Sequence, residues 1–295
     1  MKFSKLATAS WLPVASLLFA ASMWGVFWFP LRWLEARGLA GLWAAYFMYA
    51  ATLLIALPML WRHRGDVVRR WQLLLGIGIF SAWCNVSFFL AVLEGNIVRV
   101  ILLFYLSPVW TILLGRWLLR EKPEPSAWFH LALAFCGALI MLWKPQLGLP
   151  WPEGRADWLA ITSGMAFAAS NVLTRKGEDL SVHVKTGVAW SGCFILAAVW
   201  VAIEHVPTPI VSAQVIGIAF ALGFFGIAFM TTAVLYGVSN MPVHRSAVIL
   251  LFELVVGAVS QQLLTTEVMS TREWLGGALI IFAAWLTVRK PSEGG

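Results

Sequence analysis

Residues 100–115 carry no charge, and Pro108 stands near the middle of them. A run of that kind, bounded by Arg99 and Arg116, reads as a helix crossing a bilayer. About 20 apolar residues at roughly 1.5 Å each span the hydrocarbon layer. A proline inside such a helix frees a carbonyl, which lipid-embedded chains tolerate only where neighbouring helices or cavity water take it up. Pro108 therefore marks a helix kink in packed surroundings. The run closes on charge, with Arg116, Arg120, Glu121 and Lys122 ahead of Pro123 and Pro125.

The rest of the chain is built in the same way. Its 295 residues are 60% hydrophobic and 12% charged, which excludes an ordinary soluble domain. Charges delimit ten predicted spans, within 6–31, 38–61, 71–93, 98–118, 125–143, 158–174, 186–203, 212–237, 245–265 and 274–288. The first also reads as a cleaved signal peptide, with Ala20, Ala21 and Ser22 as small residues. Apolar sequence running on to Leu31, and a counterpart in the second half, favour a retained span. The expected fold is all-α and integral to the membrane.

The two halves echo each other. Adding 146 carries Arg99 to Arg245, Glu121 to Glu267 and Trp128 to Trp274, which suggests an internal duplication. A competing register, shifted by two, aligns ILLFYL (101–106) with ILLFEL (249–254). The turn-rich stretch KPQLGLPWPEGRAD (144–157) is the natural link, giving repeats over 1–148 and 149–295. With five spans each, an odd number, the second repeat is inverted relative to the first.

Orientation follows from Lys and Arg. With both termini cytoplasmic, the inner side holds 15 of the 21: Lys2, Lys5, Arg62, Arg64, Arg69, Arg70, Arg116, Arg120, Lys122, Arg175, Lys176, Lys185, Arg245, Arg289 and Lys290. The six others are Arg32, Arg37, Arg99, Lys144, Arg155 and Arg272. The positive-inside rule selects that arrangement. It also accounts for the net charge of +7 without a nucleic-acid partner.

Cys84, Cys136 and Cys193 sit singly in separate apolar spans and read as small packing residues. The five histidines show no metal-ligand spacing, and no phosphate-binding glycine loop is present. No cofactor or metal is expected, and transport would draw on gradients. Of the tryptophans, Trp11, Trp33, Trp43, Trp61, Trp71, Trp143 and Trp158 fall near span ends, as an aromatic belt requires.

Polar residues inside apolar spans are the candidates for function. Glu253 lies near the middle of the ninth span, where a carboxylate costs about 2.5–3.5 kcal/mol on insertion scales and must face protein or water. Its functional readings are a proton carrier or the partner of a cationic substrate group. The structural reading is a protonated carboxyl bonded between helices. Asn85 in the third span, and Ser170 with Asn171 in the sixth, read equally as substrate contacts or interhelical hydrogen bonds. Tyr105, one turn before Pro108, is placed to line the same cavity. Glu94 and Arg99 read as charges that steer solutes at the outer mouth or as helix anchors. Glu121 and Glu267 read as end-capping ion pairs.

Two stretches, MWGVFWFPLR (23–32) and LSPVWTILLGRWLLREKP (106–123), resemble EamA-type permeases of the drug/metabolite transporter superfamily. FELVVGAVSQQLLTTE (252–267) resembles the second copy of the pattern, with Leu254 where the family usually has proline. The resemblance covers nearly the whole chain. It implies ten helices around a central cavity and export across the inner membrane, often coupled to protons. It places Trp24 at the family's Trp-Gly opening, as a cavity residue or as packing against Gly25. The expected function is a secondary transporter, in the exporting direction, of small metabolites such as amino acids, or of drugs. It would work as a monomer or homodimer, by alternating access. The alternative is a lipid-carrier flippase. A membrane-embedded enzyme would need a His, Asp or Glu cluster at one interface, which the sequence does not display.

Overall fold

The computed structural model describes residues 11–39, 41–121, 124–143, 151–266 and 268–289, with all their side chains except that of Val98. Lys122, Pro123, the 144–150 stretch and Glu267, singled out in the sequence, lie outside the described residues. Among the described residues there are helices and no strands. In chain order they are α1 (Leu12–Val26), α2 (Trp28–Glu35), α3 (Gly41–Arg62), α4 (Arg64–Arg69), α5 (Trp71–Glu94), α6 (Ile97–Phe104), α7 (Ser107–Leu114) and α8 (Pro125–Leu142). Then follow α9 (Arg155–Lys176), α10 (Val182–Ile203), α11 (Ala213–Ala221), α12 (Ala228–Ser239), α13 (Val243–Leu250), α14 (Phe252–Leu264) and α15 (Thr271–Arg289). A π-helical turn, Gly115–Leu119, extends α7, and another, Leu222–Ile227, joins α11 to α12.

Among the described residues, eight runs are long and apolar enough to cross a membrane: α1 with α2, α3, α5, α6 with α7, α8, α10, α11 with α12, and α13 with α14. The chain is a multi-pass membrane protein. The other two long helices, α9 and α15, correspond to the sixth and tenth predicted spans and are more polar. Helix α9 carries Arg155, Asp157, Arg175 and Lys176 at its ends, with Ser163, Ser170, Asn171 and Thr174 buried between them. Helix α15 opens on Thr271, Arg272 and Glu273. Such composition suits a helix that faces other helices more than lipid, and α5, α6, α7 and α12 all pack on α9.

Packing pairs the halves. Helix α3 lies on α10, and α8 on α15. Helix α5 packs on α9 and α10, while α12 packs on α1 and the turn before it on α3. Helices α6 and α7 lie on α9, and α13 and α14 lie on α1. Element boundaries echo the internal repeat too. Adding 146 to α6 (97–104) gives 243–250, the bounds of α13, which favours that register over the one shifted by two.

The fourth predicted span is interrupted at Tyr105 and Leu106, and Pro108 stands in the first turn of α7, where its missing N–H costs least. The ninth span breaks at Leu251 although Leu254 is not proline. There the backbone tightens without proline's help. Leu251 N–H donates to Val248 O at 3.3 Å and Leu254 N–H to Leu251 O at 3.1 Å, both one residue shorter than α-helical bonding. The same contraction surrounds Leu106, with Leu106 N–H to Leu103 O at 3.3 Å and Val109 N–H to Leu106 O at 3.0 Å.

One boundary differs from expectation in a way that matters. Helix α10 begins four residues before the predicted start at 186, so Lys185 lies inside it and is fully buried rather than in a loop.

Candidate functional site

The two helix breaks face a common polar cluster. Glu253 is the second residue of α14, so its carboxyl sits at a helix N-terminus, where exposed N–H groups favour negative charge. The phenol of Tyr105, at the other break, lies within hydrogen-bonding reach of that carboxyl, and the Cys84 thiol of α5 is close to it. Glu253 lies deep among the helices yet keeps part of its surface uncovered.

From Cys84 the cluster continues through α3, α5, α9 and α10. Ser163 donates to Cys84 O at 2.7 Å. Tyr49 donates its hydroxyl to Asn85 Oδ1 at 2.7 Å and lies against Cys193. Asn85 Nδ2 donates to Ser81 O at 2.9 Å, the Cys193 thiol to the same oxygen at 3.5 Å, and Ser81 and Ser170 hydroxyls meet at 2.7 Å. Four helices thus bring hydroxyls, one amide and two thiols together, and Cys84 connects this group to Glu253.

Of the residues singled out in the sequence, Asn85, Ser170, Tyr105 and Glu253 fall in or against this cluster. Trp24 borders it, packing both on the apolar cluster that holds Tyr49 and Cys193 and on the one that holds Ile249 and Leu250. Asn171 is buried on α9, but consecutive helical residues diverge by about 100°, so it cannot share the direction in which Ser170 meets Ser81. Tyr49, Ser81, Cys84, Ser163 and Cys193 were not among the expected site residues. A lone hydroxyl or thiol in an apolar span carries no signal until a partner is brought to it from another helix.

Gly25, next to Trp24, explains part of the Trp-Gly opening. Its backbone touches that of α14, and Ser260 bridges the two by donating to Gly25 O at 3.2 Å while receiving the Trp28 indole N–H at 2.8 Å.

Ion pairs bind each end of the bundle. At one end Arg99, from α6, holds Asp157 at 2.9 Å, both nearly buried, and also bonds to Trp151 O. Arg155 bridges Glu94 at 3.4 Å and Glu204 at 3.3 Å. Glu94 and Arg99 are therefore engaged in joining helices. At the other end Glu121 lies near Arg175 at 3.8 Å and His244 at 3.6 Å, and accepts from Val243 N–H at 3.2 Å. Arg32 sits over the Trp28 ring at 5.5 Å. Among the described residues, no group of three or more His, Cys, Asp and Glu is arranged to hold a metal ion.

The model of the EamA-like transporter family matches this chain twice, over residues 11–143 and 154–289. The chain belongs to that family. Relatives include an uncharacterized transporter of Pseudomonas aeruginosa, 30% identical over 45% of this chain and 47% of its own length. A riboflavin transporter of Rhizobium johnstonii is 31% identical over 45% of this chain and 43% of its own. A "probable amino-acid metabolite efflux pump" of Escherichia coli K12 is 24% identical over 74% of this chain and 76% of its own. The matches thus span under half the length of the first two relatives. One solved crystal structure superposes with a TM-score of 0.75 at 16% identity, over 96% of this chain and 99% of that one, a likeness of fold.

Proposed function

We propose that this EamA-like protein exports small organic metabolites, such as amino acids, or drugs across a bacterial inner membrane by alternating access. The observation that carries the proposal is the polar cluster at the two helix breaks, where Tyr105 and Glu253 meet. Discontinuous helices whose free ends face a polar interior are a recurrent way of building a substrate site near the bilayer midplane. Trp24, Asn85, Tyr105, Ser170 and Glu253 line the substrate path in this reading, with Tyr49 and Ser81 added by the geometry and Asn171 turned away from it. Glu253 exchanges a proton for substrate.

The architecture proposed is ten membrane helices in two inverted repeats, 1–148 and 149–295, with α9 and α15 as the sixth and tenth. Packing supports it, because the largest contacts between halves have counterparts when the halves are exchanged. The pairing of α5 with α9 answers that of α12 with α1, and α7 with α9 answers α14 with α1. The count of positive residues favours both termini inside. An impermeant thiol reagent should reach Asp66→Cys from the cytoplasmic side alone.

The test of function is a screen of metabolites and drugs in everted vesicles, with and without an imposed pH gradient. Uptake of at least one compound, enhanced by the gradient, is expected. No uptake of any class of solute would refute the reading.

A second reading, a lipid-carrier flippase, draws on one feature. A crevice of about 440 Å³ opens between α1, α12 and the start of α10, lined by Phe19, Phe229, Tyr236 and His183 among others. None of its lining residues belongs to the polar cluster, so it supports a lipid path less well than the cluster supports a metabolite path.

A further inference from the structure

We infer that Glu121 is the latch of a gate closing the cytoplasmic end of the two broken helices. The inference rests on the orientation proposed above, which places residues 115–121, 175–185 and 239–244 on the cytoplasmic side.

The contacts around Glu121 divide into a short set and a long set. In the short set, Lys185 donates to Ser239 Oγ at 2.6 Å, Gly177 O at 3.0 Å and Thr174 O at 3.3 Å, while Arg175 donates to Ser239 O at 2.7 Å and pairs with Glu178 at 2.6 Å. These bonds weld the end of α9, the start of α10 and the end of α12 into one body. The long set ties Glu121 to that body through Arg175 at 3.8 Å and to His244 of α13 at 3.6 Å, and a hydrogen bond from Val243 N–H at 3.2 Å also holds Glu121 to the start of α13. Arg175 is thus fixed by partners it holds more closely than Glu121. When the cluster parts, it parts at Glu121, and the weld stays whole.

Glu121 follows a segment of irregular backbone. Ahead of it come the π-helical turn Gly115–Leu119 and Arg120, whose φ of 57° puts a non-glycine residue in the left-handed region. A Cβ on Gly115 would stand 2.6 Å from Val243 Cγ2, so the broken helices touch here. Helix α7 packs on α13 at this end. Beyond the breaks the partners differ: α6 lies on α5, α8 and α9, whereas α14 lies on α1 and α15. The helices are joined at the Glu121 end and go to separate neighbours at the other. The breaks at 105–106 and 251 lie between, where hinges are needed. Glu253 is ten residues from Val243, roughly 15 Å along the helix axis, so opening this end would uncover the polar cluster.

The test reads access to the cluster and needs no substrate, so it stands apart from the vesicle screen. In a chain with Cys84, Cys136 and Cys193 replaced by serine, Ser170→Cys is the reporter, labelled by an impermeant thiol reagent from either face. Adding Glu121→Gln should raise its labelling from the cytoplasmic face severalfold. Unchanged labelling from both faces would overturn the inference. Should that variant fail to assemble, a cysteine pair decides. Gly115→Cys with Val243→Cys brings two thiols into disulfide range. Oxidation should abolish cytoplasmic labelling of residue 170 and keep labelling from the other face, and reduction should reverse both. A disulfide that fails to form, or forms without changing access, refutes the gate.

Discussion

Gly25 presses its backbone on that of Glu253: a Cβ at residue 25 would stand 2.7 Å from the Glu253 carbonyl oxygen and 2.9 Å from Gly257 N. The candidate acid is thus held in place by a residue that has no side chain. Glu253 lies in the first turn of α14 and Gly25 in the last turn of α1.

Replacing Gly25 with alanine should therefore push α1 off α14. A loss of about 1–3 kcal/mol is expected from overpacking, read as a lower melting temperature in detergent. Gly217, in α11, has nothing within 4 Å of its Cβ position, so Gly217→Ala should be neutral or stabilising by up to about 1 kcal/mol.

Glu253→Gln keeps shape and hydrogen-bonding capacity and removes titration. The variant should assemble and still exchange substrate across the membrane, while accumulation driven by a pH gradient is lost. Wild-type accumulation by this variant would eliminate the proton-carrier role.

The break at Leu251 makes a prediction about the missing proline. Leu254 is the third residue of α14, and its N–H bonds to Leu251 O in the tight turn. Leu254→Pro removes that one bond and should cost no more than about 1.5 kcal/mol. Proline at Ala258, in the helix interior, should cost about 3 kcal/mol or more. Equal losses at the two positions, by thermal unfolding, would contradict the break as described.

Asp179, in the loop before α10, pairs with Arg70 at 2.7 Å, and that hydrogen bond holds its carboxyl below the usual carboxylate range. A depressed pKa contributes stability above the unfolded value near 3.8, and the contribution is lost as pH falls through the folded one. Both side chains are over two-fifths exposed, so Asp179→Asn should cost about 0.5 kcal/mol or less at neutral pH. The difference should shrink in high salt and vanish in acid.

Helix placement was legible because charges end apolar runs, and Glu253 because a carboxylate inside such a run is conspicuous. Pro108 announced the first break. The second was hidden, since Leu254 gives no hint that the backbone contracts at Leu251. Tyr49, Ser81 and Ser163 were equally silent, because each acquires meaning only from a partner 36 to 89 positions away. Lys185 was misplaced for a related reason. A lysine near a predicted span end reads as a loop charge, and its three acceptors come from α9, the turn after it and α12.

That same lysine ties the second half of the chain to an order of synthesis. Helix α10 emerges from the ribosome before α12 exists, so its buried ammonium first meets Thr174 O and Gly177 O alone, and Ser239 arrives 54 residues later. Until then the ammonium lacks one of its three protein acceptors. A nascent chain stalled before residue 239 should accordingly be open to quality-control proteases, and resistance should appear only once α12 has docked.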